Sequence, residues 1–173
     1  MCLRANWRLT GKLKGQTEFQ NRILERFSAS NSTRNRDINS WLLNQDFSYR
    51  PLNRWEIGLE STYGNEQNKQ DTYPLKLWYG QLKTRINYAL PSNGRASAEY
   101  LYQTVRVTEN QLNLTVPYEM ARGKKEGVSQ NWQARLEYTL AKNIVFSMFY
   151  TGRDEAGFKN IIHSGQAEVR AFF

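Results

Sequence analysis

The sequence predicts an all-β protein, an antiparallel up-and-down barrel of about eight strands. Two observations predict this class. Apolar and polar residues alternate with a period of two through most of the 173 residues, as in strands that have one apolar and one polar side. The connections between these segments are alternately long and short, which is typical of a meander whose long loops all lie at one end. We expect a single domain over residues 1–173, since this length is enough for one small barrel.

Each predicted strand is justified by its own apolar side. In chain order these sides run from Trp7 to Phe19, Trp41 to Tyr49, Trp55 to Tyr63, Trp78 to Tyr88, Ala96 to Thr104, Trp132 to Leu140, Ile144 to Tyr150 and Gly165 to Phe173. The first strand is predicted over residues 6–20 and the fourth over about residues 75–90, and residues 21–27 fit either a helical turn or an extension of the first strand. Short turns are predicted at residues 50–53, 91–94 and 141–143. Long polar loops are predicted at residues 28–36, 64–73, 106–129 and 153–162.

Aromatic residues bracket the apolar sides. Pairs such as Trp41 and Tyr49 share a face because an even number of positions separates them. Eight to ten residues at about 3.3 Å each, tilted by about 40°, span roughly 20–25 Å, the height of an apolar band with an aromatic girdle at each edge. We therefore predict an aromatic girdle made of Trp41, Tyr49, Trp55, Tyr63, Trp78, Tyr88, Trp132, Tyr138 and Tyr150.

The last predicted strand ends on an aromatic residue. Its apolar side consists of Gly165, Ala167, Val169, Ala171 and Phe173. This pattern resembles the C-terminal β-signal of bacterial outer-membrane β-barrels, which the barrel-assembly machinery reads. The resemblance implies a transmembrane β-barrel in a Gram-negative outer membrane, with the lipid bilayer and the assembly machinery as partners. The same residues also fit the last strand of a soluble barrel or sandwich.

The composition is compatible with a membrane barrel. Mean hydropathy is −0.75, and no apolar run approaches the roughly 18 residues of a transmembrane helix. A barrel stays polar on average because only every second residue faces lipid. No basic-then-apolar leader begins the sequence, so we expect a mature fragment or the C-terminal part of a longer protein. The predicted strands would then close a small barrel or be the last strands of a larger one.

The polar sides of the strands would line the lumen of such a barrel. Acidic and basic residues nearly balance there, and charges buried in a narrow lumen are tolerated when they pair. We predict a plugged lumen with no open pore, whereas in a larger barrel the same faces would line water. The predicted charge network consists of Asp46, Glu56, Glu60, Lys83, Arg85, Glu99, Arg135, Glu137, Glu168 and Arg170.

The surplus positive charge lies mainly in loops. The net charge is +8, and Arg122, Lys124 and Lys125 form a basic run in the longest predicted loop. On an external surface these residues would pair with lipopolysaccharide phosphates, although a solvated loop fits the same pattern. No nucleic-acid partner is expected, because acidic residues lie among the bases and no RNA-binding sheet motif is present.

Catalysis is not expected. His163 is the only histidine, and although Ser164 follows it, no acid stands at a position that would complete a triad. The sequence has no metal-ligand cluster, phosphate-binding glycine loop or cofactor motif, so no cofactor is predicted. The predicted function is therefore non-catalytic, either structural, adhesive or transport-related as in a porin-like barrel.

The alternative is a soluble lipocalin-like barrel that binds a small apolar ligand. It would place Trp41, Trp55, Trp78 and Trp132 inside and the charged faces in water. Periodicity alone does not distinguish the inside from the outside of a barrel. The loop asymmetry, the paired aromatics and Phe173 favour the membrane barrel.

Overall fold

The fold is a single antiparallel sheet of nine strands, in which every strand pairs with its neighbours in sequence. The structure is a computed structural model that describes residues 1–27, 35–69, 74–91, 93–109 and 115–172. The strands are β1 (Cys2–Arg8), β2 (Leu13–Arg26), β3 (Arg36–Tyr49), β4 (Trp55–Asn68), β5 (Leu75–Leu90), β6 (Gly94–Glu109), β7 (Gly127–Ala141), β8 (Ile144–Asp154) and β9 (Ile162–Ala171). The predicted all-β, up-and-down class is confirmed. No helix in the described ranges is long and apolar enough to cross a membrane.

The prediction of one strand over residues 6–20 is wrong, because a turn divides it into β1 and β2. Leu13 O accepts backbone hydrogen bonds from Leu9 and Thr10 at 3.1 and 3.3 Å. The Thr10 hydroxyl accepts two more, from the N–H groups of Lys12 and Leu13 at 3.2 and 3.1 Å. The alternation hid this turn because Leu9 and Leu13 keep the parity of the strands on either side. The sheet therefore has nine strands where about eight were predicted.

Several strands continue into stretches that were predicted as loops. β4 runs to Asn68, and its last residues pair with the start of β3, as in Ile38 opposite Asn68. β6 likewise reaches Glu109. Residues 21–26 extend β2, which settles the two possibilities in favour of a strand. The end of β4 carries no apolar side chain, and its backbone pairing with β3 and β5 keeps it in the sheet.

The sheet curls so that one face is concave. A single cleft is lined by residues of β1, such as Arg8, and of β5, such as Asn87. In a flat sheet, four strand spacings of about 4.8 Å would hold β1 and β5 about 19 Å apart. Because one cleft is lined by both strands, the sheet must curl. We call this the concave face, and the opposite one, which carries Trp41, Tyr63 and Trp78, the convex face. β1 and β9 are the two edges, and they do not pair with each other within the described residues, so the sheet is open.

The hydrophobic core lies on the concave face at the end of the long connections. It joins residues of β3, β5 and β6 to the β6–β7 connection, which folds back over the sheet and contains a short 3-10 helix, Ala121–Gly123. The buried members are Ile38, Leu75, Leu77, Tyr79, Val105, Met120 and Ala121. Leu24 of β2 and Val107 of β6 also pack against it, which shows again that the sheet curls.

Candidate functional site

Three aromatic residues form a row on the convex face near the long connections. Their strands are adjacent, and the ring centroids of Trp41 and Tyr63 lie 5.5 Å apart, those of Tyr63 and Trp78 5.7 Å apart. The Trp78 ring covers Gly80, where an added Cβ would lie 3.0 Å from it. The row continues to Arg106, whose guanidinium lies over Trp78 at 5.5 Å.

A second group of aromatic residues lies on the same face near the short turns. Trp55 and Tyr88 are directly opposite each other in the sheet, with ring centroids 4.4 Å apart. Tyr49, on β3, is also exposed there. Between the two groups the convex face carries exposed apolar side chains, including Leu59 and Leu82 at 37% and 41%. The convex face is thus an apolar belt with aromatic residues along both margins.

The remaining predicted girdle residues lie on the convex side of β7 and β8. Tyr150 and His163 share a hydrogen bond of 2.8 Å between the phenol oxygen and Nδ1, and their rings stack. Trp132 meets His163 edge-on and lies over Gly152, while Tyr138 lies opposite Phe146.

The residues of β9 alternate between the two faces of the sheet. His163 and Ser164 are therefore on opposite faces and do not form a Ser–His pair. Gly165, Ala167, Val169 and Ala171 follow His163 on the convex face, and Phe173 lies outside the described residues.

The predicted charge network is divided into separate groups on the concave face. Arg85 of β5 pairs with Glu60 at 2.5 Å and reaches Asp46 at 4.0 Å. Lys83 pairs with Glu99 of β6 at 2.9 Å. These groups are a quarter to a half exposed, so each contact contributes only about 0–1 kcal/mol to stability.

The other charged residues of the predicted network pair locally. Glu56 pairs with Arg50 of the preceding turn at 2.8 Å. On β7 and β9 the pairs form within one strand, Arg135 with Glu137 at 3.1 Å and Glu168 with Arg170 at 2.8 Å. The concave face therefore carries many compensated charges but no continuous network of these ten residues.

The β6–β7 connection is anchored to the concave face by contacts that the sequence did not predict. Ala121 N donates a hydrogen bond of 2.7 Å to the Glu66 carboxylate, and Glu119 pairs with Arg26 of β2 at 2.8 Å. Ala121 and Arg122 have positive φ angles of 48° and 55°. This left-handed backbone costs about 1–2 kcal/mol for each residue with a side chain, so these contacts must hold the connection in place.

Glu66 is a buried acid of this region, and its pKa is shifted. It is 7% exposed and lies beyond the Tyr63 row, towards the long connections. Burial raises the pKa of its carboxyl group, while the Ala121 hydrogen bond and the charges of Arg122 and Arg22 partly offset this rise. Because residues 64–73 were predicted as a loop, no buried site was expected at Glu66.

The three basic residues of this connection make different contacts. The Arg122 guanidinium lies over the ring of Tyr79, 5.6 Å from its centroid, on the concave face. Lys124 approaches Glu155 at 3.9 Å, and Lys125 lies over the Phe158 ring at 5.0 Å. Arg122 therefore contributes to the anchored connection, and Lys124 and Lys125 contact the β8–β9 connection.

The described residues thus form a sheet with an apolar convex face and a charged concave face, and the β6–β7 connection covers part of the concave face. Within the described ranges, no three His, Cys, Asp or Glu side chains lie close enough to hold a metal ion. No protein-family model, curated protein or solved structure matches this chain.

Proposed function

We propose that this chain forms the membrane-spanning wall of an outer-membrane β-barrel and has a non-catalytic, structural or transport-related role. The observation that carries the proposal is the convex face, where exposed apolar residues lie between two margins of touching aromatic rings. Water-soluble monomers rarely expose so many apolar residues on one face, whereas contact with a bilayer requires an apolar face. The convex face would contact lipid, and the concave face would line the interior.

The interior of this barrel would be occluded. The anchored β6–β7 connection covers the concave face at one end, and its own Met120 is fully buried against that face. Ion pairs such as Lys83 with Glu99 compensate charge across the middle of the same face. We therefore favour a structural or gated role over that of a permanently open pore.

The same proposal places the chain in the outer membrane and makes the barrel-assembly machinery a partner. β9 carries the alternating residues that resemble a β-signal, and Val169 is 63% exposed on its convex side. The long connections would lie outside the cell, where Lys124 and Lys125 would meet lipopolysaccharide phosphates. Arg122 contacts Tyr79 and is not proposed for this role.

The soluble lipocalin-like alternative requires the tryptophans to be inside. Trp41 and Trp55 are each 38% exposed on the convex face, and the concave face carries the charges. This arrangement is the one expected for a membrane barrel, and it supports the membrane proposal over the alternative.

The test is to refold the chain in detergent micelles and in plain buffer. We expect β-sheet circular dichroism, and a gel mobility that changes on boiling, only in detergent. A folded, monomeric β protein in buffer would overturn the proposal and point to an apolar ligand. Failure to fold in either medium would show that the wall needs further strands to cover the open edges of β1 and β9.

A further inference from the structure

The concave face holds a second feature near the short turns, a cleft of about 570 Å³ that crosses β1 to β5. Two basic residues on its β1–β2 side, Arg8 and Lys14, are directly opposite each other in the sheet. Like charges in this position repel and destabilise the strand pair. Neither residue forms an ion pair with another described residue.

The carboxylates of the cleft already have cationic partners. Glu56 pairs with Arg50 at 2.8 Å, and Asp46 shares Arg85 with Glu60. Arg8 and Lys14 are thus the uncompensated charges of the lining, and they are positive. A site with this pattern attracts an anionic group to its β1–β2 side.

A buried hydroxyl is a second, independent feature of the same cleft. Ser48 is directly opposite Lys14 and lines the cleft, and its Oγ is buried with no hydrogen-bond partner. Buried polar atoms nearly always have a partner, so an unpartnered one calls for a ligand atom or a water molecule. Asn6, Gln16 and Asn87 add further hydrogen-bonding groups to the lining.

We infer that this cleft binds a phosphate group through Arg8, Lys14 and Ser48. The planar guanidinium of Arg8 can donate two parallel hydrogen bonds to phosphate oxygens, and Lys14 adds a compact positive charge. The Ser48 hydroxyl would donate a hydrogen bond to another oxygen of the same phosphate. The phosphate would also remove the repulsion between Arg8 and Lys14. Its source is either a soluble phosphorylated solute or a lipid headgroup.

The test is calorimetric titration of the folded chain, in whichever medium folds it, with inorganic phosphate and with chloride as the reference ion. We expect phosphate to bind, and the Arg8→Gln/Lys14→Gln double variant to lose at least about tenfold in affinity, which corresponds to about 1.4 kcal/mol. The matched control is Arg95→Gln/Lys142→Gln, which removes equal charge outside the cleft and should bind as the parent does. If Arg8→Gln/Lys14→Gln does not fold, Ser48→Ala serves instead, with an expected loss of about threefold.

A second arm distinguishes the sources of the phosphate. The same variants are titrated with vesicles of phosphatidylglycerol and of phosphatidylcholine. Binding of free phosphate assigns the site to a soluble solute, and binding of phosphatidylglycerol alone, lost in the Arg8→Gln/Lys14→Gln variant, assigns it to a lipid headgroup. The inference is overturned if phosphate binds no better than chloride and neither vesicle binds, or if both double variants lose the same affinity.

Discussion

The Glu66 carboxylate accepts a hydrogen bond from the backbone N–H of Ala121 at 2.7 Å, across 55 positions of the sequence. This contact fixes the β6–β7 connection over the core, because Ala121 is itself fully buried and its backbone is left-handed. The carboxylate is the acceptor that satisfies a buried N–H group, and it is also a buried acid. The hydrogen bond from Ala121 lowers the pKa of Glu66 because it favours the charged carboxylate. Burial raises the pKa because it favours the neutral acid, and burial has the larger effect.

We expect docking of the connection to weaken as the pH rises. Burial raises the pKa of Glu66 above its unfolded value, so its contribution to docking is fully present below the unfolded pKa and is lost as the pH rises through the folded pKa. In micelles, the NMR shift of the Ala121 amide should titrate with a midpoint above the ordinary glutamate value of about 4.3. The Glu66→Gln variant keeps a carbonyl acceptor and should show no such titration. An unchanged titration in that variant would rule out Glu66 as its source.

A charge placed on the convex belt should be much more harmful than one on the concave face. Leu82→Arg puts a guanidinium between the aromatic margins, where lipid contact costs about 2–4 kcal/mol. The matched control is Gln133→Arg, which is exposed on the concave face opposite Glu99 and should change stability by about 0.5 kcal/mol or less. Denaturant unfolding from phospholipid vesicles, followed by tryptophan fluorescence, measures both. Equal stability of the two variants would contradict the proposed lipid contact.

The Trp132 ring should be sensitive to a methyl group at Gly152. An added Cβ would lie 2.1 Å from the ring, so Gly152→Ala must push Trp132 off its place and disturb its contact with His163. We expect a loss of about 1–3 kcal/mol in the free energy of unfolding. Gly165→Ala is the control, because the nearest atom to its added Cβ is 4.0 Å away. A Gly152→Ala protein as stable as Gly165→Ala would mean that the ring does not pack there.

Arg85 should contribute to stability because its guanidinium compensates the charges of two neighbouring acids. Asp46 and Glu60 are directly opposite each other in the sheet, and both lie within 4.0 Å of its guanidinium. Arg85→Gln leaves this like-charge pair uncompensated and should cost about 1 kcal/mol at low salt, less at high salt. Adding Glu60→Gln should restore most of that loss, whereas Arg135→Gln, which breaks an exposed pair within β7, should cost about 0.5 kcal/mol or less. Without rescue in the double variant, the repulsion between Asp46 and Glu60 would not be the cause.

The regular middle of each strand could be predicted from the sequence, and the contacts between distant segments could not. β5 was predicted with its observed limits, because residues from Trp78 to Tyr88 alternate regularly and short turn residues follow the strand. The turn before Leu13 was missed since it preserves parity. The end of β4 was missed since residues 64–68 carry no apolar side chain, although Glu66 and Asn68 are buried in the structure. The pairing of Glu66 with Ala121 depends on two stretches without periodicity, so no local pattern indicates it.

The meander topology has a kinetic consequence. Every strand pairs with its neighbours in the chain, so contacts are local and the sheet can form strand by strand from the short turns. The bond from Ala121 to Glu66 is different, because the connection must cross β5 and β6 to reach β4. It can form only after those strands have curled. We therefore expect a fast phase of sheet growth followed by a separate, slower phase in which the β6–β7 connection closes over the core.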